Sequence, residues 1–101
     1  MGKTEFLNDA AARRYRLLLD GAEVGFIEYD PIGDTSILIK HTEVAREHEG
    51  KGLGSQLVRH ALDDIRRRGL TVVPISPYTL NFIRNHQEYR DLVRPEMRGS
   101  I

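Results

Sequence analysis

Between Glu49 and Arg68 the chain admits few folds. Three glycines fall at alternate positions, Gly50, Gly52 and Gly54, and apolar residues then recur at Leu53, Leu57, Val58, Ala61, Leu62 and Ile65. Those spacings of four, one, three, one and three place the six on a single stripe of a helix over Gly50 to Arg68. Arg59, His60, Asp63, Asp64, Arg66 and Arg67 occupy the opposite face, and Gly69 stands where a left-handed residue stops a helix. A helix with one apolar stripe needs a surface to lie on, so this segment predicts a sheet nearby. Its start has a second consequence: glycines without Cβ let the backbone approach an anion, and the first-turn N–H groups add about half a positive charge.

The flanking segments supply the strands. Arg14 to Leu19 and Ala22 to Tyr29 are joined by Asp20-Gly21 and read as an antiparallel hairpin. Asp30 to Asp34, with Pro31 and Gly33, reads as the next turn, and Thr35 to Val44 as the third strand of a meander. Thr4 to Asn8 is a candidate edge strand, while the alanines of Asp9 to Arg13 also suit a helix. Leu70 to Ile75 is a short, continuously apolar run, which is the signature of a strand buried on both faces and parallel to its neighbour across the helix. Pro74 lacks a ladder donor, so pairing is expected to fail and the sheet to splay beside Pro74 to Ser76. Ser76-Pro77 has N-cap and N1 chemistry and opens a short helix to Asn85, followed by a helical turn over His86 to Val93 and a frayed end over Arg94 to Ile101. The expected class is α/β in the α+β sense: a mixed, mostly antiparallel sheet of about four or five strands with one long helix and a short C-terminal helix.

Composition removes several functions. The chain has 101 residues, which suits one domain over 1–101 with its core at 14–93, burying roughly 60 to 70% of its unfolded surface. Fifteen basic and fifteen acidic residues cancel, so no cationic excess draws nucleic acid or an anionic membrane. The absence of cysteine excludes disulfides, thiolate metal sites and a thiol nucleophile. No apolar run approaches the roughly 20 residues of a membrane span, and the first residues lack a signal-peptide core, so a cytoplasmic location is expected. His48, His60 and His86 have no acidic partners at metal-ligand spacing, and no metal is expected.

The glycine turn is not a P-loop, which needs four residues between its first glycine and Gly-Lys-Ser/Thr. Nor is it a dinucleotide fingerprint, because Gly-x-Gly-x-x-Gly fails at Ser55. The order of elements is meander, glycine cradle, long helix, buried strand and short helix. In that order, and in this loop, the chain resembles the GNAT superfamily of acetyl-CoA-dependent N-acetyltransferases. It is most similar to the small, single-domain GNAT-like family, in which a His-Thr-x-Val strand end precedes an Arg-Gly-x-Gly-x-Gly loop. An apolar strand ending in Cys-Pro and a His-Pro-x-Tyr segment follow there. The matching residues are His41-Thr42-Glu43-Val44, Gly50 to Gly54, Val72 to Pro77 and His86-Gln87-Glu88-Tyr89.

The resemblance covers Arg14 to Val93 and implies a set of roles. Acetyl-CoA is the implied cofactor, with its diphosphate on Gly50, Lys51, Gly52, Leu53, Gly54 and Ser55. Its pantetheine arm would run between Thr42 to Ala45, including Val44, and the Ser76 end of the next strand. Asn81 and Arg84 lie where the family's last helix nears the coenzyme, beside Asn85 and His86. Two residues depart from the pattern: Glu49 replaces the loop arginine, and Ser76 replaces the cysteine. A serine hydroxyl needs a dedicated base to act as a nucleophile, so direct attack by a primary amine is the implied reaction. An amine with a lysine-like pKa is largely protonated at neutral pH, and freeing it costs roughly 4 to 5 kcal/mol. His41 and Glu43 are the candidate bases, Ser76 is a third catalytic candidate, and Tyr78 or Tyr89 is a candidate acid. Along an unbroken strand, Ile37, Ile39, His41 and Glu43 share one face, which a bulge would change. A coenzyme-A-binding module with little catalysis, or a protein-interaction domain, are the alternative readings. The amine acceptor is not legible.

Overall fold

The computed structural model describes residues 2–101. Its strands are β1 (Thr4–Asp9), β2 (Arg14–Leu19), β3 (Ala22–Ile32), β4 (Ser36–Val44) and β5 (Thr71–Pro74), with helices α1 (Leu53–Arg67) and α2 (Pro77–Asn85). They form one sheet in the order β1-β2-β3-β4-β5. The first four strands are antiparallel neighbours, and β5 runs parallel to β4 across the α1 crossover, giving the mixed sheet expected from the sequence.

Local chemistry accounts for the elements. Asp20 and Gly21 both take positive φ, 50° and 86°, the backbone that matches a two-residue hairpin to the twist of its strands. The edge strand extends through Asp9. Asp9 to Arg13 is a turn rather than a helix: the Ala12 N–H donates to Asp9 Oδ1 at 3.2 Å, and Arg13 takes a φ of 55°. Pro31 lies within β3, opposite Ile37, and the turn begins instead at Gly33. Pairing with β2 stops at Glu28, so the missing N–H of Pro31 leaves no ladder partner wanting on that side.

The stripe of α1 is buried in full, from Leu53 to Ile65, against Tyr15, Leu17, Ile27, Ile37 and Ile39 of the sheet. Phe82 and Ile83 of α2 join the same core. Among the described residues no helix lies over the other face of the sheet, which carries Arg14, Arg16, Phe26, Glu28, His41 and Glu43. Arg16 pairs with Glu23 at 2.7 Å, and the Arg14 guanidinium lies 4.1 Å from the Phe26 ring centroid. Past α2 the chain forms a 3-10 turn over Gln87–Leu92, and the expected frayed end is a second one over Pro95–Ser100. Side-chain clamps onto carbonyls order that end. Arg98 Nε donates to Val93 O at 3.0 Å and Arg90 to Arg98 O at 2.9 Å, while Met97 and Ile101 pack on the core. No helix among the described residues is long and apolar enough to cross a membrane.

Candidate functional site

The site begins with a fault in the ladder. Glu28 pairs with His41 and the next residue, Tyr29, pairs with Ile39, so β4 bulges by one residue at Lys40. Below the bulge Ile37 and Ile39 face the core; above it Thr42 does, and His41 and Glu43 face outward. His41 and Glu43 therefore do not share the face of Ile37 and Ile39, contrary to the unbroken-strand expectation. The bulge sits where β5 departs. Pairing between β4 and β5 ends at Ile39 and Pro74, and the N–H groups of Ile75 and Ser76 both donate to Ile39 O at 3.1 Å. Beyond that point β4 continues without a neighbour on its β5 side.

Main-chain alternation says which groups face the gap. Ala45 N–H donates to Val24 O at 2.7 Å, so the Ala45 donor is engaged within the sheet. In an antiparallel ladder the intervening residues point the other way, which turns the N–H and C=O of Val44 and Thr42 toward the gap. Val44 thus offers an open donor at the splayed edge.

The glycine turn supplies the second wall. Gly50 and Gly52 take φ of 82° and 76°, and a Cβ added at either would enter open space. Gly52 caps α1 without a side-chain hydrogen bond, and the first amide engaged in the helix is Gln56, on Gly52 O at 3.1 Å. Among the described residues, the N–H groups of Leu53, Gly54 and Ser55 have no carbonyl or side-chain acceptor. They meet a cleft of about 400 Å³ lined by Val44, Glu49, Gly50, Gly52, Ser55 and Tyr78. No acidic residue stands in the first turn of α1 to fill it. Lys51 is exposed, with Nζ 3.4 Å from His48 Nδ1. A Cβ on Gly54 would overlap the Tyr78 hydroxyl, so this glycine is what lets the tyrosine ring close on the helix start.

Tyr78 also borders a second cleft of about 260 Å³, with Ser55, Asn81, Asn85 and His86. Asn81 lines this cleft. Arg84 reaches Ser100 O at 3.5 Å and lines neither cleft. Tyr89 is equally remote as an acid, because it is buried with its hydroxyl donating to Asp63 at 2.7 Å. Burial first, and then the Asp63 carboxylate, raise its pKa above the ordinary phenol value.

His41 Nε2 lies 3.1 Å from Glu43 Oε1, both half exposed on the open face of the sheet, and the His41 ring tilts against Phe26. Ser76, 1% exposed, caps α2 by accepting from Thr79 N–H at 3.4 Å and donates to Thr42 Oγ1 at 3.2 Å. Thr42 Oγ1 in turn lies 3.1 Å from Thr79 Oγ1. Thr79 is the participant that sequence reasoning missed; its place at the third position of a capped helix was the available signal. The unengaged amides, the glycine backbone and the open strand edge fit a diphosphate joined to an extended, amide-containing arm.

Comparison with known proteins identifies the family and the fold. Residues 14–92 match the family described as GCN5-related N-acetyl-transferase. The ribosomal-protein-S18-alanine N-acetyltransferase of Escherichia coli superposes with a TM-score of 0.62 at 16% identity, over 80% of this chain and 51% of that one. A GNAT family acetyltransferase from Elizabethkingia anophelis with acetyl-CoA bound gives 0.58 at 18% identity, over 75% of this chain and 51% of that one. The N-acetylglutamate synthase of Neisseria gonorrhoeae, complexed with coenzyme A and N-acetyl-glutamate, gives 0.60 at 20% identity, over 73% of this chain and 18% of that one. At these identities the likeness is one of fold, and the chain spans about half the length of the first two of these enzymes. No curated protein sequence matches it. With four-fifths of its length inside the family's pattern and the family's fold around an open helix start, the chain belongs to the GCN5-related N-acetyltransferases.

Proposed function

We propose that this chain binds acetyl-CoA and transfers its acetyl group to a primary amine. One observation carries the reading: the unengaged N–H groups of Leu53, Gly54 and Ser55 adjoin the unpaired edge of β4. The coenzyme, when bound, supplies an acyl group activated as a thioester. The amides of Lys51 to Ser55 hold its diphosphate, and the Thr42 to Val44 edge aligns its arm by main-chain hydrogen bonds, as an added strand would. Val44 N–H, beside the start of α1, would donate to a carbonyl of the arm, and coenzyme A would leave as its thiolate as the amine's C–N bond replaces the C–S bond.

His41 and Glu43 serve the acceptor side. They stand on the face of the sheet that no helix covers, so an amine reaches them without displacing protein. Glu43 orients the imidazole, and His41 accepts the proton the amine must lose. Ser76 acts here as cap and anchor of α2 rather than as nucleophile, because its hydroxyl is buried and engaged at both ends.

Amide chemical shifts followed during titration with acetyl-CoA test the binding half. Movement is expected at Gly50 to Ser55 and at Val44, and stationary signals at both would end the proposal. Turnover with a panel of primary amines tests the chemistry, with His41→Ala expected to lower kcat about a hundredfold at unchanged coenzyme affinity. Shifts without turnover on any amine would leave a coenzyme-binding module.

A further inference from the structure

The hydroxyls of Ser76, Thr42 and Thr79 form a buried chain at the apex of the gap between β4 and β5. They are 1%, 9% and 0% exposed. Their contacts are 3.2 Å from Ser76 Oγ to Thr42 Oγ1 and 3.1 Å from Thr42 Oγ1 to Thr79 Oγ1. Each hydroxyl brings one proton, the two contacts use one each, and the Thr79 N–H that reaches Ser76 Oγ brings its own. Ser76 donates to Thr42, so the surplus proton is on Thr42 or Thr79. Among the described residues no main-chain carbonyl or other side chain accepts from either. A buried donor without an acceptor costs about 1 to 3 kcal/mol, which makes the surplus a feature to explain.

We propose that Thr42 holds this spare donor for a carbonyl of the arm that enters the gap, which makes it a residue that selects amide- or thioester-bearing ligands over the bare nucleotide. Three observations favour Thr42 over Thr79. Thr42 retains the most exposure of the three, and its main chain already borders the gap. Thr79 is enclosed within the first turn of α2, where its hydroxyl has only Thr42 to donate to. With Ser76 and Thr79 both donating to Thr42, the two acceptor positions of the Thr42 oxygen are filled, and its proton is free for a ligand oxygen. The inference rests on the coenzyme reading and deepens it by assigning a side chain to the arm rather than to the diphosphate.

Calorimetric titration of the full chain separates the two ideas when two ligands are compared: acetyl-CoA, and its phosphoadenosine diphosphate half, which has no arm. Thr42→Val is expected to weaken acetyl-CoA about tenfold, the strength of one buried hydrogen bond, and to leave the nucleotide half unchanged. Thr42→Ser, which keeps the hydroxyl, is expected to restore affinity to within about twofold. Equal weakening of both ligands, or no change in either, overturns the proposal while leaving coenzyme binding intact. Failure of the unaltered chain to bind either ligand sinks the coenzyme reading and this inference with it. Should Thr42→Val not fold, the Thr42 hydroxyl proton of the unaltered chain reports on the donor directly. It is protected from exchange with acetyl-CoA and not with the nucleotide half if the donor is used, and an unprotected hydroxyl with acetyl-CoA overturns the proposal.

Discussion

The two ends of α1 are both marked by glycine in the left-handed region, yet one end is closed and the other open. At the C-terminal end Gly69 takes a φ of 73°, Leu70 N–H reaches Ile65 O at 3.1 Å and Gly69 N–H reaches Arg66 O at 3.0 Å. That paired arrangement satisfies the last carbonyls from within the chain, and Arg66 and Arg67 complement the dipole. At the N-terminal end Gly52 takes nearly the same φ, 76°, but no side chain caps the helix and three amides keep their donors free. Folding requires only that helix ends find partners, and water suffices for an exposed one. The bare end, floored by Gly54 and bordered by a broken strand edge, is the one our proposal assigns to the diphosphate. The same residue type thus closes one end and leaves the other open.

Filling the open end should have the largest effect. Gly54→Val places a branched side chain where the Tyr78 hydroxyl now lies, with Val44 Cγ2 3.2 Å from the new Cβ. Tyr78 is 44% exposed and can swing outward, so the fold should survive. The amides behind it become screened, and acetyl-CoA affinity is expected to fall on the order of a hundredfold, about 2.7 kcal/mol, equivalent to two charge-assisted hydrogen bonds. Calorimetry reads the loss, and unaltered affinity in a folded variant would show that the diphosphate sits elsewhere. Changing the charge at the rim acts less strongly. Glu49 lines the cleft and has no cationic partner within salt-bridge distance among the described residues. Glu49→Arg exchanges repulsion of a diphosphate for attraction, and affinity is expected to rise about tenfold at low salt and less at high salt. A rise that ignores ionic strength would point to packing rather than charge.

How much of this was legible depends on how local the determinant is. The α1 stripe, the hairpin glycine, the Ser76-Pro77 start of α2 and the glycine cradle are written in short spacings, and the structure has them all. The bulge was written too, less loudly: adjacent polar residues Lys40 and His41 break the alternation of β4 at the residue that slips. Other features join distant positions and leave no local trace. Gly54 complements Tyr78, Thr42 meets Thr79, and Arg98 clamps the C-terminal segment through carbonyls, which any residue type presents. Arg84 is a similar case: its contact with Ser100 O, sixteen residues on, has no trace in the local sequence.

The closed end provides the converse experiment, with the smallest expected effect. Gly69→Ala puts a Cβ on a left-handed residue, and although nothing lies within 4 Å of that Cβ, the backbone itself resists. The strain is about 1 to 2 kcal/mol, partly offset by the lower entropy of alanine in the unfolded chain. Urea unfolding should therefore show a midpoint lowered at unchanged slope. Acetyl-CoA affinity should not move, since Gly69 lies at the far end of a rigid helix whose stripe is fully buried. If stability held and affinity fell, the two ends would be coupled through α1, and the division of labour between its glycines would have to be abandoned.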